Sequence, residues 1–572
     1  MTKVIDPQFY VAISYDTLYE DGNKIDPKSF LTDVSMYDAL YFIAQRINSI
    51  NYSFTDVSRQ RLLIYEMRCY FIDESEWISK IDCFLSNYEL CYLFENESFF
   101  IYEMIVLQFA NSLKTGLTNI DIKNIYKAYL YSCKIWIDMQ ACMLEKSSDI
   151  QEYSIRLDLP IVEFKTYKDF RIQLYKAIQF FKFCEKDELF NNYLKFFLED
   201  NQCKSYIDYL SRLVILYQDC YNNIEIKDMS KYGDFLDIFK RFLISTEDCK
   251  LLFDKRDMVY VRNHILFQHK DKIIILNPNL LVDKFYQGMI FDFWTSVKNH
   301  KGKNARGKEI SEFVDFRSLI GMRFSECELF YSVLSNSFNT EEYIMIPGTE
   351  IKELNTGTEV VGEPDYYMRR GNCIFLFEFK DLTLAESLKK SNSFKNIRDS
   401  ILARLCKEGE CKRKGAIQIL YVINRFYNKT ITLEINREIS PSDTFFPILV
   451  TTDRSFDALG INSMIIQEFS QIAEERYNHL AGRVKMPIII NIDTLVDLMY
   501  RLHMGKINFE SLLLDYLSIY DNGLYSRKAM ISFSSFVYDY YKIDPLSLRD
   551  ENRYLYGAFL DEIKHKREYK ED

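Results

Sequence analysis

The stretch GEPDYYMRRGNCIFLFEFKD, Gly362–Asp381, sets the reading of the chain. An apolar run, Ile374-Phe375-Leu376-Phe377, passes directly into Glu378, Phe379 and Lys380. Gly371-Asn372 is a two-residue hairpin turn signal. A turn there pairs Arg370 with Cys373 and, counting outwards, sets Asp365 opposite Glu378. Directly opposed residues share a face, with Cβ atoms about 4.5–5.5 Å apart. Alternation adds Lys380 to that face and sends Phe375, Phe377 and Phe379 to the other, as core. Two opposed carboxylates repel, so the arrangement needs a counter-charge. One reading is an exposed hairpin closed by a salt bridge. The other is a hard divalent cation, Mg²⁺ or Mn²⁺, on oxygen ligands from Asp365, Glu378 and the carbonyl of Phe379. In that second reading Lys380 holds or deprotonates an attacking water and offsets charge developing on a phosphate.

The flanking segments give an element order. MRFSECELFYSVLSNSF is an amphipathic helix, and EEYIMIPGT is a short strand that precedes the hairpin. LAESLKKSNSFKNIRDSILARLC is a helix broken near Ser391-Asn392. GAIQILYVINRF, near-continuously apolar, is expected to be a strand covered on both faces. The order is therefore α-β-β-β-α-β. Further strands are expected at FPILVTT and PIIINI, and Asp493 is expected to cap the helix of TLVDLMYRLHMG.

Pro364-Asp365, Glu378-Phe379-Lys380 and this order together resemble the PD-(D/E)xK nuclease superfamily, which has the restriction-endonuclease-like fold. The resemblance covers roughly residues 315–425 and extends over the strands to about 495. It implies a metal-dependent phosphodiesterase, an endonuclease acting on DNA more than RNA, and a restriction or phage-defence role. Members of that superfamily also use an acid on the first core helix. Glu326 is the candidate here and Glu328 the reserve, because Glu326 shares a face with Leu329, Phe330 and Val333. The QxxxY extension of one branch is absent. E-x-K alone is a weak signal, since Glu163-Phe164-Lys165 and Glu350-Ile351-Lys352 also match without a preceding PD.

Around this core the chain has 572 residues, enough for roughly three or four domains. The expected fold is α+β and multidomain. Residues 1–250 form a helical array for recognition or regulation, and 251–310 a strand-helix connector. Residues 311–495 form the nuclease-like α/β core, and 496–572 a helical extension with a charged tail. In the connector, MVYVRNHILFQHKDKIIILNP reads as strands around His269-Lys270-Asp271, and LLVDKFYQGMIFDFWTSV as a helix. The loop KNHKGKNARGKE carries Lys298, Lys301, Lys303, Arg306 and Lys308 before its first acid, Glu309. It is either a solvated linker or a phosphate-contacting loop. Lys412, Arg413 and Lys414 form a second basic group.

The net charge of −11 excludes a generally basic protein, though not local nucleic-acid patches. The 13 cysteines are odd in number and lack CxxC spacing, which argues against zinc and disulfide frameworks and for free thiols in the cytoplasm. The longest apolar run, FFIYEMIVLQFA, is short and interrupted by Glu103, so no membrane span is expected. The expected partner is nucleic acid, with a second copy or another protein engaged through the N-terminal helices. The competing function is a non-catalytic nucleic-acid- or protein-binding scaffold with a degenerate nuclease fold.

Overall fold

A computed structural model describes residues 11–540, except 20–25, 51–55, 111–113, 115, 166–167, 223, 227–239, 241, 245–258, 271, 356–362, 410–412 and 435–438, together with residues 550–557 and 559. Asp271, Gly362, Lys412 and the charged tail lie outside the described residues. The fold is mixed helix and sheet. Among the described residues, no helix is long and apolar enough to cross a membrane.

Two compact units are threaded through one another in sequence. The first comprises Met1–Lys146, Glu163–Asp169 and Asn201–Gly288; the second comprises Ser147–Val162, Phe170–Asp200 and Met289–Asp572. These units cut across the linear division at 250, 310 and 495. The reason is packing: Phe180 and Phe183 lie against Phe324, with ring centroids 5.3 and 5.5 Å apart, which joins an early helix to a late one.

The first unit is mainly helical, as its periodicity predicts, with long helices at Met36–Ser49, Asn96–Phe109 and Asn119–Lys146. It is not all-α. Glu225–Ile226 pairs with Lys272–Ile275, which pairs in turn with Leu266–His269 in the expected connector hairpin. The start of that connector, Val259–Asn263, is helical and not a strand. The single connector helix expected after it is two, Pro278–Asp283 and Gln287–Asn299.

Asn96–Phe109 is apolar all round because it is buried all round. Glu103 does not mark a solvent face: it is 0 % exposed, and neither carboxyl oxygen has a hydrogen-bond partner among the described residues. Burial pushes its carboxyl well above the usual range. A raised folded-state pKa means stability is greatest at acid pH and declines as pH rises beyond the unfolded value. Glu103→Gln should therefore raise the unfolding free energy measured by urea denaturation at pH 7.5 by about 1–3 kcal/mol. The gain should vanish below about pH 4, where the unfolded chain is protonated too. A glutamine variant no more stable than the parent at pH 7.5 would show that the carboxylate is satisfied.

The second unit is built on a five-stranded sheet: β1 (Ile344–Pro347), β2 (Tyr366–Arg370), β3 (Cys373–Lys380), β4 (Thr444–Thr451) and β5 (Ile488–Asn491), in the order β5-β4-β3-β2-β1. β1, β2 and β3 are antiparallel neighbours, whereas β4 runs parallel to both β3 and β5. Helix α1 (Phe170–Lys186) packs on α2 (313–337) and α6 (Ile492–His503), and around the sheet lie α2, α3 (Phe394–Leu405), α4 (Ala416–Tyr427), α5 (Ile461–Arg476) and α6. A short helix, Glu386–Lys389, precedes α3, so the break near Ser391-Asn392 is present.

Two expectations fail here. GAIQILYVINRF is helix α4, not a strand, so the longer elements run α-β-β-β-α-α-β, with a short helix, Gly348–Leu354, inserted between β1 and β2. Its buried residues, Ala416, Ile417, Ile419, Leu420, Ile423 and Phe426, occupy a wide helical stripe, and Gln418, Tyr421 and Arg425 make the opposite one. The cap of α6 is Asn491, whose side chain accepts from the Asp493 amide; Asp493 itself is inside the helix.

Candidate active site

The hairpin has the register that the Gly371-Asn372 turn dictates. Arg370 pairs with Cys373 and Tyr366 with Phe377, so Asp365 is the next residue outwards, toward Glu378. On one face of β3, Phe379 stacks on Phe330 of α2 at 4.9 Å and Phe375 on Phe446 of β4 at 5.1 Å. On the other face Ile374 and Leu376 join Ile417 and Leu420 of α4 in the main core. Strand alternation then carries Glu378 and Lys380 onto this second face, where Glu378 is 2 % exposed. The apolar strand runs into charge because its last two inward positions line a site.

Asp365 is held from two sides. Its Oδ2 accepts the Phe379 amide at 2.6 Å, and its carbonyl accepts the Gly348 amide at 2.8 Å. A Cβ on residue 348 would lie 2.7 Å from the Pro364 carbonyl oxygen, so only glycine permits this approach. Glu378 is ion-paired to Lys380 through Oε1, and its Oε2 accepts from Nε2 of Gln418 at 2.9 Å. Gln418 is a contact that reading α4 as a strand concealed. Its place in the polar stripe of α4 is the signal that would have found it.

The electrostatics are those of crowded acids. Burial, then the charge of Glu378, pushes the Asp365 carboxyl well above its usual range. Burial also raises Glu378, and Lys380 opposes that rise. For Lys380 burial alone would lower the ammonium pKa, but Glu378 and Asp365 outweigh it and the net shift is upward. Glu326 is half-buried and raised by burial, and its charge acts on Asp365, Glu378 and Lys380. Glu328 is exposed. Tyr331, one turn on, has its phenol raised by burial and by both Glu326 and Asp365.

Glu326 lies in an unusual stretch of helix. Within α2, Phe313–Ile320 and Tyr331–Ser337 are α-helical, while Gly321–Phe330 is π-helical. Such stretches are rare and occur frequently at functional sites. A neighbour of the motif anchors this one: Asp381 binds Arg317, accepts from the Ser325 and Thr452 hydroxyls at 2.6 Å each, and so fixes the helix on both sides of its α-to-π change. Removing one member of a buried charge pair costs about 3–5 kcal/mol, and losing one neutral hydrogen bond about 1 kcal/mol. Asp381→Ala should therefore lower the urea midpoint much more than Ser325→Ala. Equal losses would mean that Arg317 is held elsewhere.

The donors here are all oxygens: two buried carboxylates, a nearby third at Glu326 and the carbonyl of Phe379. That chemistry suits Mg²⁺ or Mn²⁺, which use one or two carboxylates and retain waters. Among the described residues, no three His, Cys, Asp or Glu side chains form a ready-made metal cage.

The basic residues divide. Lys298, Lys301, Lys303, Arg306 and Lys308 are exposed around one ordered loop. Arg413 is committed to Glu408 at 3.1 Å and lies over the Tyr421 ring. Lys414 is exposed on a short strand paired with Lys407. No family model, curated protein or solved structure matches the chain.

Proposed function

We propose that this chain is a metal-dependent endonuclease of the PD-(D/E)xK type with a restriction-endonuclease-like core, hydrolysing phosphodiester bonds of nucleic acid, DNA before RNA. A defence role follows from the resemblance. The observation that carries the reading is the trio of buried Glu378 with half-buried Asp365 and Lys380 at one end of a hairpin whose other face is pure core. Buried acids pushed up by burial and by each other are costly as structure, and such costs collect at functional sites.

Asp365, Glu378, Glu326 and the Phe379 carbonyl would hold the Mg²⁺ or Mn²⁺ ion, which supplies Lewis acidity toward the phosphate and acidifies a bound water. Lys380 keeps its proton while Glu378 and Asp365 keep their charge. With that charge neutralised, Glu326 is the acid still favouring the charged form of Lys380, and burial favours loss of the proton. Its amine is then suited to taking a proton from the attacking water, while its charged form suits the phosphate in flight. Gln418 fixes the carboxylate plane of Glu378.

The scaffold reading draws on the Lys380–Glu378 ion pair, which balances the site without a cation. Plasmid nicking with Mg²⁺ or Mn²⁺, and with EDTA, separates the two. Metal-dependent nicking supports the nuclease; none under either metal leaves the scaffold.

A further inference from the structure

The loop from Lys298 to Ile310 is a built surface and not a slack linker. The Gly302 amide donates to the Val297 carbonyl at 2.8 Å, and the Ile310 amide to the Gly302 carbonyl at 2.9 Å. The Asn304 side chain accepts from the Arg306 and Lys308 amides at 3.0 and 3.1 Å. The Tyr193 hydroxyl donates to the Lys303 carbonyl at 2.6 Å. A Cβ on residue 302 would meet Val297 at 2.6 Å, so the turn is closed to larger residues. Lys298, Lys301, Lys303 and Arg306 make no ion pair among the described residues, although the backbone bridges Lys303 to Glu309. Lys308 has Asp315 at 3.8 Å, and Glu309 and Glu312 are the other acids that follow.

Beside these cations is an aromatic stack. Phe291 stacks on Phe313 with centroids 4.2 Å apart, and Trp294 meets Phe313 edge-on at 5.4 Å. Lys298 Nζ lies 5.1 Å from the Trp294 ring. Phe291 is 39 % exposed and Val314, next to Phe313, is 76 % exposed. Like charges fixed on a rigid turn beside one exposed ring, Phe291, and two half-buried ones, Trp294 and Phe313, suit a partner that carries both phosphates and free flat faces. Single-stranded nucleic acid is that partner, because base stacking on aromatic rings and backbone contact to a cationic groove are its two binding terms. A duplex offers the phosphates but hides its π-faces.

We infer that Phe291, Trp294 and Phe313, with Lys298, Lys301, Lys303 and Arg306, form a single-strand binding platform. This rests on the nucleic-acid reading of the Asp365 site and names the strand state it takes. Phe313 and Glu326 belong to one helix, 13 residues and roughly 20 Å apart, so a strand held on the platform is within reach of the acids.

The test is fluorescence anisotropy of the full chain in EDTA with labelled oligothymidylate of about twenty nucleotides, longer than the ~4–16 one such groove takes. A duplex of the same length serves as competitor. The single strand should bind at least about ten-fold tighter than the duplex. Trp294 emission should be quenched on binding, since Trp77 and Trp136 are buried. Phe291→Ala with Phe313→Ala should weaken single-strand binding about ten-fold or more and leave duplex binding alone. Phe291→Leu with Phe313→Leu keeps the apolar volume without a flat face; it should lose the same selectivity at an unchanged melting temperature. Converting the four cations to glutamine should weaken both ligands and reduce the single-strand salt slope by about 3. Equal affinity for strand and duplex, or a leucine variant that binds as the parent does, overturns the platform. Strand binding without nicking leaves the platform standing and removes the nuclease; nicking without strand selectivity does the reverse.

Discussion

Asp365→Ala should abolish metal-dependent nicking and leave the metal-free protein as stable as the parent, or more so. The carboxyl is buried and pushed up, first by burial and then by Glu378. Its stability contribution therefore declines as pH rises above its unfolded pKa, and alanine removes that cost at neutral pH. Lys380→Gln should behave differently. Glutamine can still donate to Glu378, so the oxygen ligands stay in place while turnover falls about 10²–10⁴-fold, the range for a lost acid–base group. Lys380→Ala is a poorer test, because it strands the buried Glu378 charge at a cost of about 3–5 kcal/mol. Thermal shift against Mn²⁺ reads the split, since a ligand of the folded state raises apparent stability. The Lys380 variant should retain the shift and the Asp365 variant lose most of it. If both cleave as fast as the parent, the hairpin is structural and the scaffold reading replaces the nuclease one.

The largest stability loss is expected at Asp493, far along the chain from the motif. Its carboxylate binds Lys176 of α1, Arg454 at 2.7 Å and Gln173 at 2.8 Å. Burial alone would raise this carboxyl, but Lys176 and Arg454 prevail and hold it far below the usual range. Lys176 and Arg454 are 4 % and 5 % exposed, so Asp493→Ala removes the carboxylate that two buried cations share. The cost should be about 3–5 kcal/mol at pH 7. A depressed folded-state pKa gives stability that is complete above the unfolded value and is lost as pH falls toward the folded one. The parent should therefore lose stability steeply below about pH 4, and the variant should lose less, closing the gap. Urea denaturation at pH 7 and pH 3 checks this; a constant gap would mean the pair contributes packing and not charge.

What could be read in the sequence was local. A two-residue turn fixes hairpin register, so Asp365, Glu378 and Lys380 could be brought to one end by counting. Glu326 could be preferred to Glu328 by helical phase, and it is the half-buried one of the two. Misreading α4 had a physical cause: a run that is apolar at nearly every position looks the same whether strand or helix covers it. The sparse polar residues, Gln418, Tyr421 and Arg425, held the answer. The π-helical stretch carries no local mark, and its Asp381 contacts come from another element. The interleaving of the units was hidden for the same reason, since Phe180 meets Phe324 only in three dimensions.

That threading has a consequence during synthesis. Helix α1 leaves the ribosome with Phe180 and Phe183 able to pack only on the neighbouring Phe190, and Phe324 follows roughly 140 residues later. At about 5–20 residues per second the wait is on the order of 10–30 s. Through that interval the nascent chain displays a helix pair whose Phe324-facing side is still uncovered, an open target for chaperones and for aggregation. A chain begun after residue 200 would lack α1 altogether, so a single protease cut within residues 201–288 cannot release whole the unit that holds Asp365.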